Sequence, residues 1–352
     1  MAHDATIPDS IPFRTAGPVG GAMKAALAVL LVLGVAAAAI GLLGENPYRF
    51  WDALLFNWLF WSSVAMGMVV FAAALHMTDA DWAWSIRRFA LGGVAFLPIS
   101  FLLFFLLWGG TEHYFHHWLE VVRGEVSDII IENKSGYLSL PFLLVRGTVG
   151  LIVLYGLAIW FAYLAIRPDV HGLKGPHRRT IFDRMTGGWR GIDEEVRSSR
   201  HRMTYLAPIL ALAYAVVWGF IGIDWAMTLD PHFFSTMFPV AFFITAFHGG
   251  IAATAIAVAL IRRGSNLESY ITSRQFHDLG KLVFAFSVFW MYINWSQYIV
   301  IWYGLLPHEQ AWFVMRFVDP FGPFVRVIVV LVFLLPFFGL LTRPPKMIPG
   351  IL

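Results

Sequence analysis

Eight apolar runs alternate with polar stretches along the chain, at about 22–43, 53–77, 88–110, 139–165, 204–229, 236–263, 279–306 and 323–343. A helix needs roughly 20 apolar residues to cross a hydrocarbon layer, and each run meets that length. Lipid offers no partner to backbone amides and carbonyls, so spans of this kind are helices whose hydrogen bonds close internally. The pattern predicts an all-α, polytopic integral membrane protein of about eight transmembrane helices. A head over 1–21 precedes the first run and a tail over 344–352 follows the last. The stretch 166–203 is basic and broken by Pro168, Gly172, Gly175, Pro176, Gly187 and Gly188. It reads as a loop separating two four-helix bundles, 22–165 and 204–343, which show no convincing repeat of each other.

Charge orients these spans. With both termini cytoplasmic, only Arg49, Arg123, Lys134, Arg146, Arg316 and Arg326 of the 25 Lys and Arg fall on or near the outer side. Basic residues accumulate on cytoplasmic loops, so the bias predicts that orientation. It also accounts for the pI of 9.2 without invoking nucleic acid. Apolar residues make up 59% of the chain and charged residues 13%, about half the charged share of a soluble domain. Cysteine is absent, which excludes a disulfide framework, a thiolate metal site and an iron–sulfur cluster held by this chain. The outer segment 111–138, TEHYFHHWLEVVRGEVSDIIIENKSGY in its polar part, reads as an amphipathic surface helix followed by a turn. Contact with an outer partner and a solvated cap over the bundle both fit it.

Polar residues at membrane depth are the candidates for chemistry, because each needs a partner or a purpose there. His248, in FHGGIAA, lies near the middle of the sixth run, and Gly249 and Gly250 beside it would let a neighbouring helix approach. Asp224 lies near the outer end of the fifth run, and Arg146 and Arg326 lie a few residues into the outer ends of the fourth and eighth, where each would snorkel, meet an anionic or carbonyl ligand or, the favoured reading, pair with Asp224 or Glu112. The segment HDLGKLVFAFSVFWMYINWSQYIVIWYGLLPHE, from His277 to Glu309, carries the heaviest polar load of any span. Helical spacing puts Lys281, Tyr292, Ser296 and Tyr303 on one stripe. Ser287, Asn294 and Tyr298 fall on another, with Gln297 beside them. Two stripes predict burial against protein on both sides, or a hydrated path from Lys281 outward. Asp224, His248, Lys281, Tyr292, Asn294 and Ser296 are therefore proton-path candidates. Only His248 is deep, which argues against a haem held between two histidines. No phosphate-binding glycine motif or nucleophile elbow is present.

The His277–Glu309 segment resembles the signature stretch of ActF, a membrane subunit of bacterial alternative complex III. IDWAMTLDPHFFSTMFPV and FHGGIAATAIAVALIRR, upstream of it, match the same subunit in order and spacing. The similarity is specific between about Ala207 and Glu309 and is mainly one of topology elsewhere. ActF is in turn similar to the NrfD-like membrane subunits of polysulfide reductases, which build four-helix bundles. Members of that group usually have ten spans, where eight are read here.

The resemblance implies a multi-pass subunit of a bacterial inner membrane complex that oxidises quinol and passes electrons to cytochrome c or a terminal oxidase. It implies no cofactor bound by this chain alone and possible contact with quinone or menaquinone. Haem c and iron–sulfur clusters would sit in partner subunits: an iron–sulfur subunit, multihaem cytochromes c and an NrfD-like ActC-type subunit. The quinone candidates it suggests near the outer surface are Trp302, Tyr303, His308 and Glu309. A proton-coupled secondary transporter and a purely structural scaffold are the alternative readings.

Overall fold

The computed structural model describes residues 20–44, 46–171, 180–265, 267–305 and 307–352. Every regular element among them is helical. Eight long helices follow the apolar runs: α1 (Gly21–Leu43), α2 (Tyr48–Met77), α3 (Arg87–Tyr114), α4 (Leu140–Val170), α5 (Ile192–Trp225), α6 (Phe238–Gly264), α7 (Ser273–Gly304) and α8 (Gly322–Gly339). Among the described residues, seven helices are long and apolar enough to cross a membrane. α7 runs for 32 residues, but its polar side chains dilute its hydropathy and it is not among the seven. The architecture is that of a polytopic helical membrane protein. Below, outer and inner denote the ends that the charge bias assigns.

Three elements depart from the simple pattern for local reasons. α3 is not uniform: an α-helical core, Leu97–Leu107, lies between 3-10 turns at Leu91–Phe96 and Trp108–Gly110. The paired glycines in both turns and Pro98 at the start of the core weaken regular helix there. α4 continues through Pro168 to Val170, and α5 begins at Ile192, so much of the expected 166–203 loop is helical. Asp193, Glu194 and Glu195 fill the first turn of α5, where the helix dipole favours acidic groups. Glu195 then takes a two-pronged contact from Arg167 of α4, at 2.8 and 3.0 Å. Charge pairing between helices thus extends both beyond the apolar limits that the sequence pattern marks.

α2 is the hub. It packs on α6, α5 and α3, while α4 packs on α5, α6 on α7, and α7 on α8. The two sets of four helices therefore meet through a shared core. Aromatic rings fill its outer half: Trp58, Phe104, Phe115, Trp118, Trp218 and Trp225 are all fully buried. Trp58 and Phe104 lie 5.4 Å apart, and Phe104 and Trp225 5.3 Å. α1 touches α2 but buries none of its residues.

The α2–α6 contact depends on two glycines. A Cβ on Gly250 would sit 2.1 Å from the Gly67 carbonyl carbon, and one on Gly67 would sit 2.1 Å from the Ala246 oxygen. Of the two glycines beside His248, only Gly250 serves this approach. A Cβ on Gly249 would meet Val64 at an ordinary 3.6 Å.

The outer loop folds onto the bundle as two short helices, His116–Val122 and Ile129–Glu132. Trp118, Leu119 and Val121 turn inward, giving the amphipathic surface helix that the pattern predicts. Asp128 caps the second helix, accepting from the amides of Ile130 and Ile131 at 2.9 and 3.3 Å. At the other end of the molecule, Thr272 and Gln275 form a capping box that starts α7. Leu305 ends α7 in the left-handed region, φ 54°, and a further helix, Pro307–Phe317, follows. That helix lies against the outer turn, with Trp312 stacked on Phe233 at 4.1 Å. Arg316 sits over the Trp312 ring at 3.3 Å, and burial pushes its pKa down to about 10.

Candidate functional site

Asp224 sits at the outer end of α5 with its side chain 1% exposed. Two donors on neighbouring segments saturate it. Arg146 of α4 grips both oxygens, Nε to Oδ2 at 2.8 Å and Nη2 to Oδ1 at 2.6 Å. The Tyr137 hydroxyl donates to Oδ1 at 2.7 Å. The two-pronged geometry of a guanidinium on a carboxylate is the strongest ordinary form of ion pair. The Arg146 guanidinium is also sandwiched by rings, 4.0 Å from the Tyr137 centroid and 4.5 Å from that of Phe142. Its remaining nitrogen, Nη1, is buried with no hydrogen-bond partner among the described residues. Tyr137 precedes α4; burial, reinforced by the Asp224 charge, pushes its hydroxyl well above the usual range and keeps it a donor. The site thus holds a satisfied carboxylate and an arginine Nη1 whose two N–H groups have no acceptor among the described residues.

The Arg146–Asp224 pair is one the sequence points to. Tyr137 is not, because nothing in its local pattern distinguishes it from any loop tyrosine. Only the approach of the 133–139 segment to the end of α5 makes it a ligand.

His248 has a different setting. It is buried on α6, with Nε2 3.3 Å from the Ser287 hydroxyl of α7. Ser287 gives its own proton to the Val283 carbonyl at 2.9 Å, which leaves its oxygen to accept from the imidazole. Asp224 and His248 share no hydrogen-bond partner among the described residues.

The α7 candidates divide between buried and exposed faces. Ser287 and Gln297 are buried. Lys281 is exposed and pairs with Asp278 at 2.7 Å. Tyr292 and Tyr303 are 63% and 79% exposed. Asn294 and Ser296, partly buried, bond to carbonyls of their own helix, at Trp290 and Ile293, both at 2.9 Å. Within this chain, then, α7 is covered on one side and not on both. α7 packs on α6 and on α8 and the last short helices, and the face carrying Lys281, Tyr292 and Tyr303 is left outside that contact. For Asn294 and Ser296 local backbone acceptors meet the polar demand that the sequence pattern assigns to neighbours, whereas the buried Gln297 Nε2 has no hydrogen-bond partner among the described residues.

Of the quinone candidates, Trp302 is 50% exposed and stacks on Tyr298 with centroids 5.7 Å apart. Tyr303 projects outward and Glu309 is partly buried in the following helix. The His308 side chain lies outside the described residues.

One buried cluster lies outside every expectation drawn from the sequence. Ser62 of α2, Ser100 of α3 and Tyr155 of α4 form a hydrogen-bonded chain at 2.6 and 2.8 Å, and Trp58 donates to the Ser100 carbonyl at 2.9 Å. Serines in an apolar run look like small-residue packing, so their sequence carries no warning of it. Along α4, Arg146, Tyr155 and Arg167 mark three polar depths spread over about 30 Å at 1.5 Å per residue. Substituting Ala for Ser100 breaks both side-chain bonds of the chain. Hydrogen bonds between membrane helices are worth about 0.6–2 kcal/mol, so we expect a loss of about 1 kcal/mol. Unfolding of the purified variant by graded denaturing detergent checks it; a loss above about 3 kcal/mol would show that the cluster organises more than itself.

These features define a multi-pass helical membrane protein with isolated polar clusters inside an aromatic and aliphatic core. No protein-family model matches the chain, and no curated protein matches it.

Proposed function

We propose that this chain is an integral subunit of a respiratory quinol:cytochrome c oxidoreductase of the alternative complex III type. In this reading it crosses a bacterial inner membrane eight times, α7 included, with both termini cytoplasmic. The observation that carries the proposal is the buried Arg146–Asp224–Tyr137 site, whose carboxylate lies inside the segment that resembles ActF. Ionisable groups at membrane depth are costly and mark functional sites. A quinone offers carbonyl oxygens to a guanidinium donor, and a quinol releases protons that need an acceptor. Arg146 Nη1 supplies the first chemistry, and Asp224 is the nearest group with the second.

Haem c and iron–sulfur centres would be held by partner subunits, consistent with a chain that lacks cysteine. The unburied length of α1 and the outward face of α8 offer apolar surface for such neighbours. Within this reading, proton handling centres on Asp224 and His248. Lys281, Tyr292, Asn294 and Ser296 would contribute only where a neighbouring subunit or water covers α7. The scaffold reading draws support from one observation: most of the buried polar groups are satisfied within the chain itself.

The chain, affinity-tagged and drawn from native membranes in mild detergent, is expected to bring with it haem-staining cytochromes and an iron–sulfur polypeptide. The isolated assembly is expected to reduce cytochrome c with a quinol. Recovery of the chain alone, stable and without haem, ends this proposal.

A further inference from the structure

Three side chains converge on the outer surface from separate segments. His117 comes from the helix His116–Val122, Asp128 from the cap of Ile129–Glu132, and His232 from the turn between α5 and α6. Their potential ligand atoms all lie within 4.8 Å of one another. His232 Nε2 is 2.7 Å from Asp128 Oδ2, and the two imidazole rings are 5.4 Å apart between centroids. Asp128 is held in place from behind, since its other oxygen accepts the Ile130 and Ile131 amides. His117 is exposed and has room to turn.

We propose that His117, Asp128 and His232 form a binding site for a divalent transition-metal ion of the zinc class. Zinc binds nitrogen and oxygen at about 2.0–2.2 Å in a tetrahedron, which separates neighbouring ligands by roughly 3.3 Å. Completing such a set takes a rotation of the exposed His117 side chain, which already lies within 4.8 Å of the other two, while Asp128 and His232 open slightly from 2.7 Å. Two imidazoles and one carboxylate select zinc, nickel or copper over magnesium and calcium, which prefer all-oxygen shells. Three protein ligands leave the fourth position to water or to a group from outside. Bound there, the ion ties the outer loop to the α5–α6 turn. Lys134 reinforces that link by donating to the Pro231 carbonyl at 2.8 Å. Since Tyr137 lies on the same loop, the ion also steadies the segment that covers Asp224. The site stands independently of the respiratory reading.

The test uses the full chain in detergent, stripped of any histidine tag and titrated with Co2+. One saturable equivalent is expected, with the visible absorption of a tetrahedral nitrogen–oxygen site, displaced by Zn2+ and not by Mg2+. Zn2+ is expected to raise the melting temperature as well. H117A, exposed and therefore safe for the fold, is expected to weaken binding at least tenfold and leave the metal-free melting temperature unchanged. D128N, which keeps a capping oxygen, is expected to weaken it similarly. Absence of a saturable cobalt band in the wild type overturns the proposal. So does an unchanged band in H117A or in the H117A/H232A double variant, which would place the metal on another surface histidine such as His113 or His116.

Discussion

Asp224→Leu is expected to destabilise the protein by about 3–5 kcal/mol, the usual cost of leaving one member of a buried ion pair without its partner. The loss is larger than the pair itself contributes. Arg146 stays behind, nearly buried between two rings, and its charge loses the only carboxylate that binds it among the described residues. Arg146→Met should fail in the same way, because Asp224 would then keep only Tyr137. The informative variant is the double replacement, Arg146→Met with Asp224→Leu. Replacing both members of such a pair by apolar groups is often close to neutral, so the double variant should recover much of what either single variant loses. Thermal unfolding in detergent measures all three. A single Asp224→Leu variant that melts with the wild type would mean that the pair carries no structural weight. Asp224→Asn keeps acceptor capacity for Tyr137 and is the gentler probe. Normal assembly of that variant with lost quinol turnover would assign Asp224 to proton handling, whereas normal turnover would leave it a structural group.

Gly250→Leu is expected to be as damaging by a different route. At this position even a Cβ overlaps the backbone of Gly67, so no rotamer relieves the clash. α2 and α6 have to separate, and with them the contacts α2 makes with α3 and α5. Overpacking in a well-packed core costs typically 1–3 kcal/mol and occasionally more. A backbone-to-backbone clash at the hub should reach the upper end or beyond, about 3 kcal/mol. Gly249→Ala is the control, since its Cβ makes only an ordinary contact with Val64. Size-exclusion profiles should show aggregated or low-yield protein for Gly250→Leu and a normal peak for Gly249→Ala. Equal behaviour of the two would remove the glycine contact from the account.

How much of the fold and site is legible in the sequence depends on the range of the interaction. Apolar length marks every long helix, because hydrophobic burial in lipid is set by composition over about 20 residues. The true start of α5 is not visible, because its first turns are polar and are stabilised by the contact of Glu195 with Arg167 across the bundle. Arg146 and Asp224 can be brought together by depth, as one of the pairings it allows among Arg146, Arg326, Asp224 and Glu112. Tyr137 and the Ser62–Ser100–Tyr155 chain cannot, since their partners are set by the lateral arrangement of helices, on which spacing along one helix is silent. α7 misleads in the opposite direction. Its polar stripes promise partners on both sides, yet Asn294 and Ser296 turn back to their own backbone, an option that short polar side chains always have.

The hub position of α2 also bears on how the protein is made. Gly67 and the residue it must meet, Gly250, are separated by about 180 residues of chain, a delay of roughly 10–40 s at 5–20 residues per second of synthesis. Throughout that interval the Gly67 face of α2 lacks its final neighbour, while α3 and then α5 arrive to cover other sides. That face is expected to need lipid or an insertion factor against it during this window. Interruptions of translation between α2 and α6 should leave an incomplete bundle whose Gly67 face is open to the wrong helix.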